Sequence, residues 1–352
     1  MLPRPPELHT RGGVGWRLAA FFYGLGARVH RAWMKRGEPV RGHLACAVVS
    51  VGALTVGGAG KTPVAARLAL GLSKRGWRVV LASRGYRGGS RDRVRVVSDG
   101  SRVRSSVEES GDESLVLAGH APGVPVLVGR DRRIVGHHAV SAFDAQILIL
   151  DDGFQHHCLP RDLDIVCVDG IAGFGNGRLL PAGPLREPIS VLGQADWLCL
   201  VDGGEAGTRG AQIRAQEAAG LEVIQAHRRP IDLVRIDRAA QRSADWLEGL
   251  RVGLLAGIAR PASLRATIEG LGAEVVAERI FPDHHVYRAA DCRALEDSAA
   301  LWVTTEKDAL KILPSWIEGA SLFVLRIEAE IEEEPRVLEQ LERSLRKAGR
   351  LA

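Results

Sequence analysis

Aromatic residues are scarce, at 5% of 352 residues, and no stretch interleaves them with basic ones, which argues against a single-stranded nucleic-acid surface. Cysteine is also sparse. Cys46, Cys158, Cys167, Cys199 and Cys292 are odd in number, scattered, mostly inside apolar strand-like runs, and form no CxxC pair. That usage excludes a disulfide scaffold and reads as reduced core thiols in a cytosolic protein. No hydrophobic run is long enough to cross a bilayer. The most apolar early stretch is Trp16–Trp33, and its uninterrupted centre, Leu18–Ala27, is half of the ~20 residues a crossing needs. It lacks a small-residue cleavage site, so no signal peptide is expected. Internal repeats and low-complexity tracts are absent too.

What is present is a globular composition, 46% hydrophobic and 25% charged, on a chain long enough for two domains. The formal charge of +5, carried mainly by arginine, favours an anionic partner: a nucleotide, a nucleic acid or an acidic membrane surface. Arg17, Arg28, Arg31, Lys35 and Arg36 flank the aromatic-rich patch in Trp16–Trp33. Such a segment suits an amphipathic helix lying in a membrane interface, or a helix packed on its own domain, and the two readings are compatible.

The informative stretch is Leu44–Leu70. Leu44–Val51 has the length and β-branching of a buried parallel strand, and a helical apolar spacing begins after Lys61 and Thr62. Between them lies Thr55, Val56, Gly57, Gly58, Ala59, Gly60, Lys61, Thr62, which reads as a phosphate cradle for ATP. Glycines let backbone N–H groups turn toward an anion, Lys61 reaches the β- and γ-phosphates, and the Thr62 hydroxyl binds Mg²⁺. A strict P-loop has glycine at position 55, where this chain has threonine, so the motif follows the GGxGK[ST] variant. ATPases of the partitioning type share that variant but usually carry lysine where Val56 stands.

Further strands are expected at 78–83, 125–128, 145–150, 163–168 and 197–201, separated by helical segments. The fold class is therefore α/β: a mostly parallel P-loop sheet wrapped by helices, with a second, smaller α/β domain. The expected division is an N-terminal amphipathic helix in 1–40, a P-loop domain in 41–248, and a C-terminal domain in 249–352 that closes over the nucleotide. In that last domain strands are expected at 252–257, 274–280, 300–304 and 322–327, with helices at 261–271, after His285, and at the C-terminus.

Asp151 and Asp152 follow the apolar run Ile147–Leu150, where P-loop proteins hold Mg²⁺ beside the threonine hydroxyl, with either carboxylate as the inner ligand. A helix N-cap would suit a lone aspartate better than a pair. Transfer to an alcohol also needs a base, and Asp112, Glu113, Asp131, Glu187, Asp283, His284 and His285 are the candidates. His156, His157 and Cys158 with Asp283, His284 and His285 lack zinc-ligand spacing, because adjacent histidines point apart.

Taken together the motifs resemble the tetraacyldisaccharide 4′-kinase (lipid A 4′-kinase) family. They are SVGALTVGGAGKTP at 50–63, SRGY at 83–86, GDE at 111–113, GRDR at 129–132, DDGFQH at 151–156, LPAGPLRE at 180–187, FPDHHVY at 281–287 and TEKDALK at 305–311. The resemblance implies ATP-dependent phosphorylation of the 4′-hydroxyl of an acylated glucosamine disaccharide 1-phosphate. It implies a peripheral enzyme on the cytosolic face of the bacterial inner membrane, with anionic lipid and no nucleic acid as its surroundings. By motif, Asp112 becomes the general base paired with His284, and Lys61, Asp151 and Asp152 fall on phosphate, metal and catalytic positions. Arg186 and Glu187 fall on the active-site loop, and Glu306–Asp308 is expected near the adenine. Ala53 replaces the family's usual asparagine, removing a hydrogen bond near the cradle. Ser114 replaces the proline usual after GDE, so a looser segment under Asp112 is expected. The competing class is a P-loop ATPase switch acting on a membrane partner without a sugar substrate.

Overall fold

The structure, a computed structural model, describes residues 13–36, 43–89, 92–203 and 221–351. These form two compact units. The smaller is Arg229–Glu328, and the larger comprises the described residues up to Arg228 together with those from Ala329 onward. Residues 1–12 and 37–40 of the expected N-terminal segment lie outside the described residues.

The larger unit runs α1 (Val14–Arg36), β1 (Ala47–Gly52), α2 (Lys61–Lys74), β2 (Val79–Ser83), β3 (Arg95–Asp99), α3 (Val107–Ser110) and α4 (Asp112–His120). It continues with β4 (Pro125–Val128), α5 (Arg132–Phe143), β5 (Ile147–Asp151), β6 (Leu163–Asp169), β7 (Trp197–Val201) and the start of β8 (Glu222–Arg235). Across the sheet the order is β7-β6-β1-β5-β2-β4-β3, and only β3 runs antiparallel to its neighbour. The apolar runs are continuous because both faces are covered. Val49, Ile147 and Ile149 turn to the core beneath α2, while the residues between them, Val48 and Leu148, turn to the core beneath α5. Parallel pairing sets Val51 of β1 beside Asp151 of β5 on one side and Ile165 of β6 on the other. The mouth of the P-loop strand therefore has the Asp151 carboxylate as its neighbour.

The smaller unit holds β9 (Gln241–Ser243), β10 (Arg251–Ala256), β11 (Glu274–Ile280), β12 (Leu301–Thr305) and most of β13 (Ser321–Ile331), with helix Pro261–Gly270. Its strands β11-β10-β12-β13 are parallel. Leu254, Val303 and Phe323 fill one core, and Leu255, Trp302 and Leu322 the other.

Three features differ from the sequence reading. The change of unit falls inside β8 at Arg228, because the polar segment 235–246 folds back as β9 and a short 3₁₀ turn, leaving no linker there. The segment after His285 forms only a 3₁₀ turn at Ala289–Cys292. The C-terminal helix Glu334–Lys347 belongs with the larger unit, not with the C-terminal domain. There it lies on α2: Arg67 pairs with Glu334 at 2.5 Å, while Arg75 and Trp77 both bond Glu342. Leu338 packs so close to Gly71 that an added Cβ would lie 2.6 Å from it.

Candidate active site

The residues expected to form the nucleotide cradle belong to the larger unit. Past β1, the chain turns through Gly57 and Gly60, both at positive φ (98° and 77°), and enters α2 at Lys61. A Cβ on Gly60 would lie 2.8 Å from Val201 Cγ1, so the turn is pressed against the end of β7. A Cβ on Gly58 would meet nothing within 4 Å, which leaves open room above the loop. The LPAGPLRE loop lines the other side. Val56 N–H donates to the Pro184 carbonyl at 2.9 Å, Arg186 N–H to the Leu54 carbonyl at 2.7 Å, and Thr55 bridges Leu185. Gln155 Nε2 holds the Ala53 carbonyl at 2.9 Å. With alanine at 53, that backbone oxygen is still bound from the DDGFQH side.

The two aspartates have different environments. Thr62 Oγ1 donates to Asp151 Oδ2 at 2.9 Å, and Asp151 Oδ1 is buried with no hydrogen-bond partner. Burial pushes the Asp151 carboxyl up to about 7, with Asp152 adding and Lys61 and Thr62 opposing. Asp152, at φ 52°, accepts from Arg186 at 2.8 and 3.0 Å and lies 3.6 Å from Lys61 Nζ. Burial would raise its pKa as well, but Lys61, Arg186 and Arg132 hold it down to about 2. A hydroxyl, a buried unbonded carboxylate oxygen and a second carboxylate make an all-oxygen set that fits Mg²⁺.

Asp112 is buried at the first turn of α4, where the helix dipole favours a carboxylate, and its Oδ1 accepts from Glu113 N–H at 2.9 Å. Gly111 before it has φ 82°, and a Cβ there would strike the Tyr86 carbonyl at 2.2 Å. Packing without a side chain is what joins SRGY to GDE. Ser114 lies in the first turn of the same helix. Its buried hydroxyl is 2.9 Å from both the Ser110 and Gly111 carbonyls. Glu187 is buried with its Oε1 3.8 Å from His157 Nε2.

Some site groups are not legible from spacing. Arg132 of GRDR is 2% exposed and donates to the Gly129 carbonyl at 2.6 Å. Burial and the charge of Arg84 lower it to about 10, while Asp152 and Asp151 pull it back, so it lies within electrostatic reach of both aspartates. Glu113, already a candidate base by sequence, is felt electrostatically by both Asp151 and Arg186. Helix α1 reaches the site as well. Burial raises the Tyr23 phenol, and Arg186 and Glu187 both act on it, while Gly24 sits against Leu179. The sequence signals for Arg132 and Tyr23 were one of the two arginines of GRDR and an aromatic in an N-terminal segment, neither specific alone.

His284 belongs to the smaller unit, in a loop whose φ at His284 is 61°. The neighbouring His285 bonds Asp291 at 3.0 Å and stacks on Phe281 at 4.3 Å, which distinguishes the pair. Asp308 of TEKD is fully buried and receives Gly257 N–H, Thr305 Oγ1 and Lys311 Nζ, so within this unit it anchors the segment Glu306–Asp308.

A strand, a glycine turn and a helix opening with Lys-Thr, beside a carboxylate bonded to that threonine, define a P-loop nucleoside-triphosphate-binding protein. The family model described as LpxK, tetraacyldisaccharide-1-P 4′-kinase, matches residues 16–346, and the chain belongs to that family of kinases. It is 42% identical over 321 residues to a tetraacyldisaccharide 4′-kinase of Anaeromyxobacter sp. (strain Fw109-5), covering 89% of this chain and 86% of the relative. A Syntrophus aciditrophicus protein of the same name is 38% identical over 312 residues, covering 84% and 83% of the two chains. Among solved structures, the "apo" form of LpxK from Aquifex aeolicus in complex with ATP superposes with a TM-score of 0.74 at 29% identity. That match covers 94% of this chain and 98% of the other.

Proposed function

We propose that the protein transfers the γ-phosphate of ATP to the 4′-hydroxyl of an acylated glucosamine disaccharide 1-phosphate, a step of lipid A biosynthesis. The observation that carries this is the Thr62–Asp151 hydrogen bond beneath an open glycine cradle, in a chain of the 4′-kinase family. The loop N–H groups and Lys61 hold the phosphates, and Arg132 and Arg186 add positive charge where the transferred group carries negative charge. Thr62, Asp151 and Asp152 would hold Mg²⁺, which when bound offsets phosphate charge. Lys61, now 3.6 Å from Asp152, has a phosphate as its partner in the loaded enzyme. Asp112 accepts the proton of the attacking hydroxyl, and His284 assists as the second proton-handling group.

Membrane association belongs to the same proposal. Among the described residues no helix is long and apolar enough to span a bilayer. On α1, however, Leu18, Phe21, Phe22, Leu25 and Val29 are exposed, while Ala20 and Gly24 face the protein. That surface suits a peripheral position at the cytosolic face of the inner membrane, where the acylated substrate resides.

Incubation with ATP labelled at the γ-phosphate and the disaccharide 1-phosphate, followed by chromatography, tests the reading. A labelled lipid is expected, reduced at least ~10²-fold in kcat by Lys61→Ala or Asp112→Ala. Release of inorganic phosphate without a labelled lipid would instead support the ATPase switch.

A further inference from the structure

Lys307 follows β12 in the short helix Glu306–Ala309. Its Nζ lies 3.1 Å from His284 Nε2 and 3.3 Å from Asp283 Oδ1. The other Asp283 oxygen is 3.8 Å from the same imidazole nitrogen. An ammonium has three protons to donate and no lone pair to accept with. Of the two neutral tautomers, only the one with its lone pair on Nε2 and its proton on Nδ1 can accept from this ammonium.

The backbone holds this arrangement. His284 N–H donates to the Gly257 carbonyl at 3.1 Å, and Gly257 N–H donates to Asp308 at 2.9 Å, one residue beyond Lys307. Thr305 and Lys311 bond the same buried carboxylate. The histidine loop, with His284 at φ 61°, and the lysine helix thus share one anchor that brings the two side chains together. Nothing in the reaction proposed above uses Lys307.

We propose that Lys307 is a positioning residue for phosphoryl transfer, fixing the tautomer and ring orientation of His284 so that Nδ1–H is the group it offers. This rests on the reading of His284 as a participant in the reaction. Lys307 touches no reacting atom in this role.

The test uses the full chain labelled with ¹⁵N-histidine, with the His284 signals assigned by loss in His284→Ala. Long-range proton–nitrogen spectra are expected to show Nε2 unprotonated in the wild type, and a mixture of tautomers in Lys307→Met. In that variant kcat should fall roughly 10-fold, while KM for ATP stays within about 2-fold. Lys307→Arg still donates to Nε2, so it should keep the tautomer and recover part of kcat. A proton on Nε2 in the wild type, or wild-type kcat in Lys307→Met, would overturn the proposal, as would a loss of kcat with the tautomer unchanged. Full turnover by His284→Ala would overturn the underlying reading of His284 instead, and the spectrum separates that case from failure of the lysine contact.

Discussion

Replacing Asp151 by asparagine should stabilise the metal-free protein while abolishing its activity. Burial raises this carboxyl from 3.8 to about 7, so the folded state keeps a proton that the unfolded chain has already lost. The sign follows directly. The group's contribution to stability is intact below about pH 3.8, declines as pH rises, and is fully lost above about pH 7. At 1.36 kcal/mol per unit, the raised pKa corresponds to ~4 kcal/mol as an upper limit. For a unit of this size, at about 2 °C per kcal/mol, that is as much as ~8 °C in Tm. The side-chain amide introduced by Asp151→Asn would not titrate but would keep an acceptor for Thr62. Melting curves with a chelator present, from about pH 5 to about pH 8.5, should show the variant gaining several degrees on the wild type as pH rises. Magnesium with ATP should stabilise the wild type more at the upper end of that range, because the cation must displace the proton, and should do little for the variant. Wild-type and variant curves that stay parallel across the range would refute the assignment of a buried, proton-retaining carboxylate at the metal position.

Three further outcomes follow from named contacts. Gly60→Ala places a Cβ 2.8 Å from Val201 in a left-handed turn, so calorimetric ATP affinity should fall at least ~10-fold. Arg186→Ala removes the two bonds that orient Asp152 and should lower kcat by ~10²-fold in the lipid-labelling assay, with little change in Tm. Ser114→Ala leaves the carbonyls of Ser110 and Gly111 without their buried donor, so a loss of ~1 kcal/mol is expected in denaturant unfolding.

Most of the cradle was legible because it is written in adjacent residues. Gly57 to Thr62 form one turn, and the Asp151 strand could be placed beside it by its apolar run alone. The roles of Asp151 and Asp152 were not legible, since they depend on which side chain faces Thr62 and which faces Arg186, a matter of strand register. Arg132 escaped notice for a related reason. Arginine reads as surface by default, and only the fold shows it buried and within electrostatic reach of Arg84 and the aspartates. The C-terminal helix was assigned to the wrong neighbour because its partners on α2 are 267 residues earlier in the chain, beyond the reach of any local pattern.

That last contact bears on how the protein is made. The smaller unit is inserted between β8 and the C-terminal helix, so a ribosome delivers its whole sequence before the larger unit has all its parts. Until Leu338, Leu341 and Leu345 emerge, the apolar side of α2 around Leu68 and Leu72 has no cover on that face. A nascent chain stalled before the last helix would carry a complete insert beside an α2 whose apolar side is still uncovered.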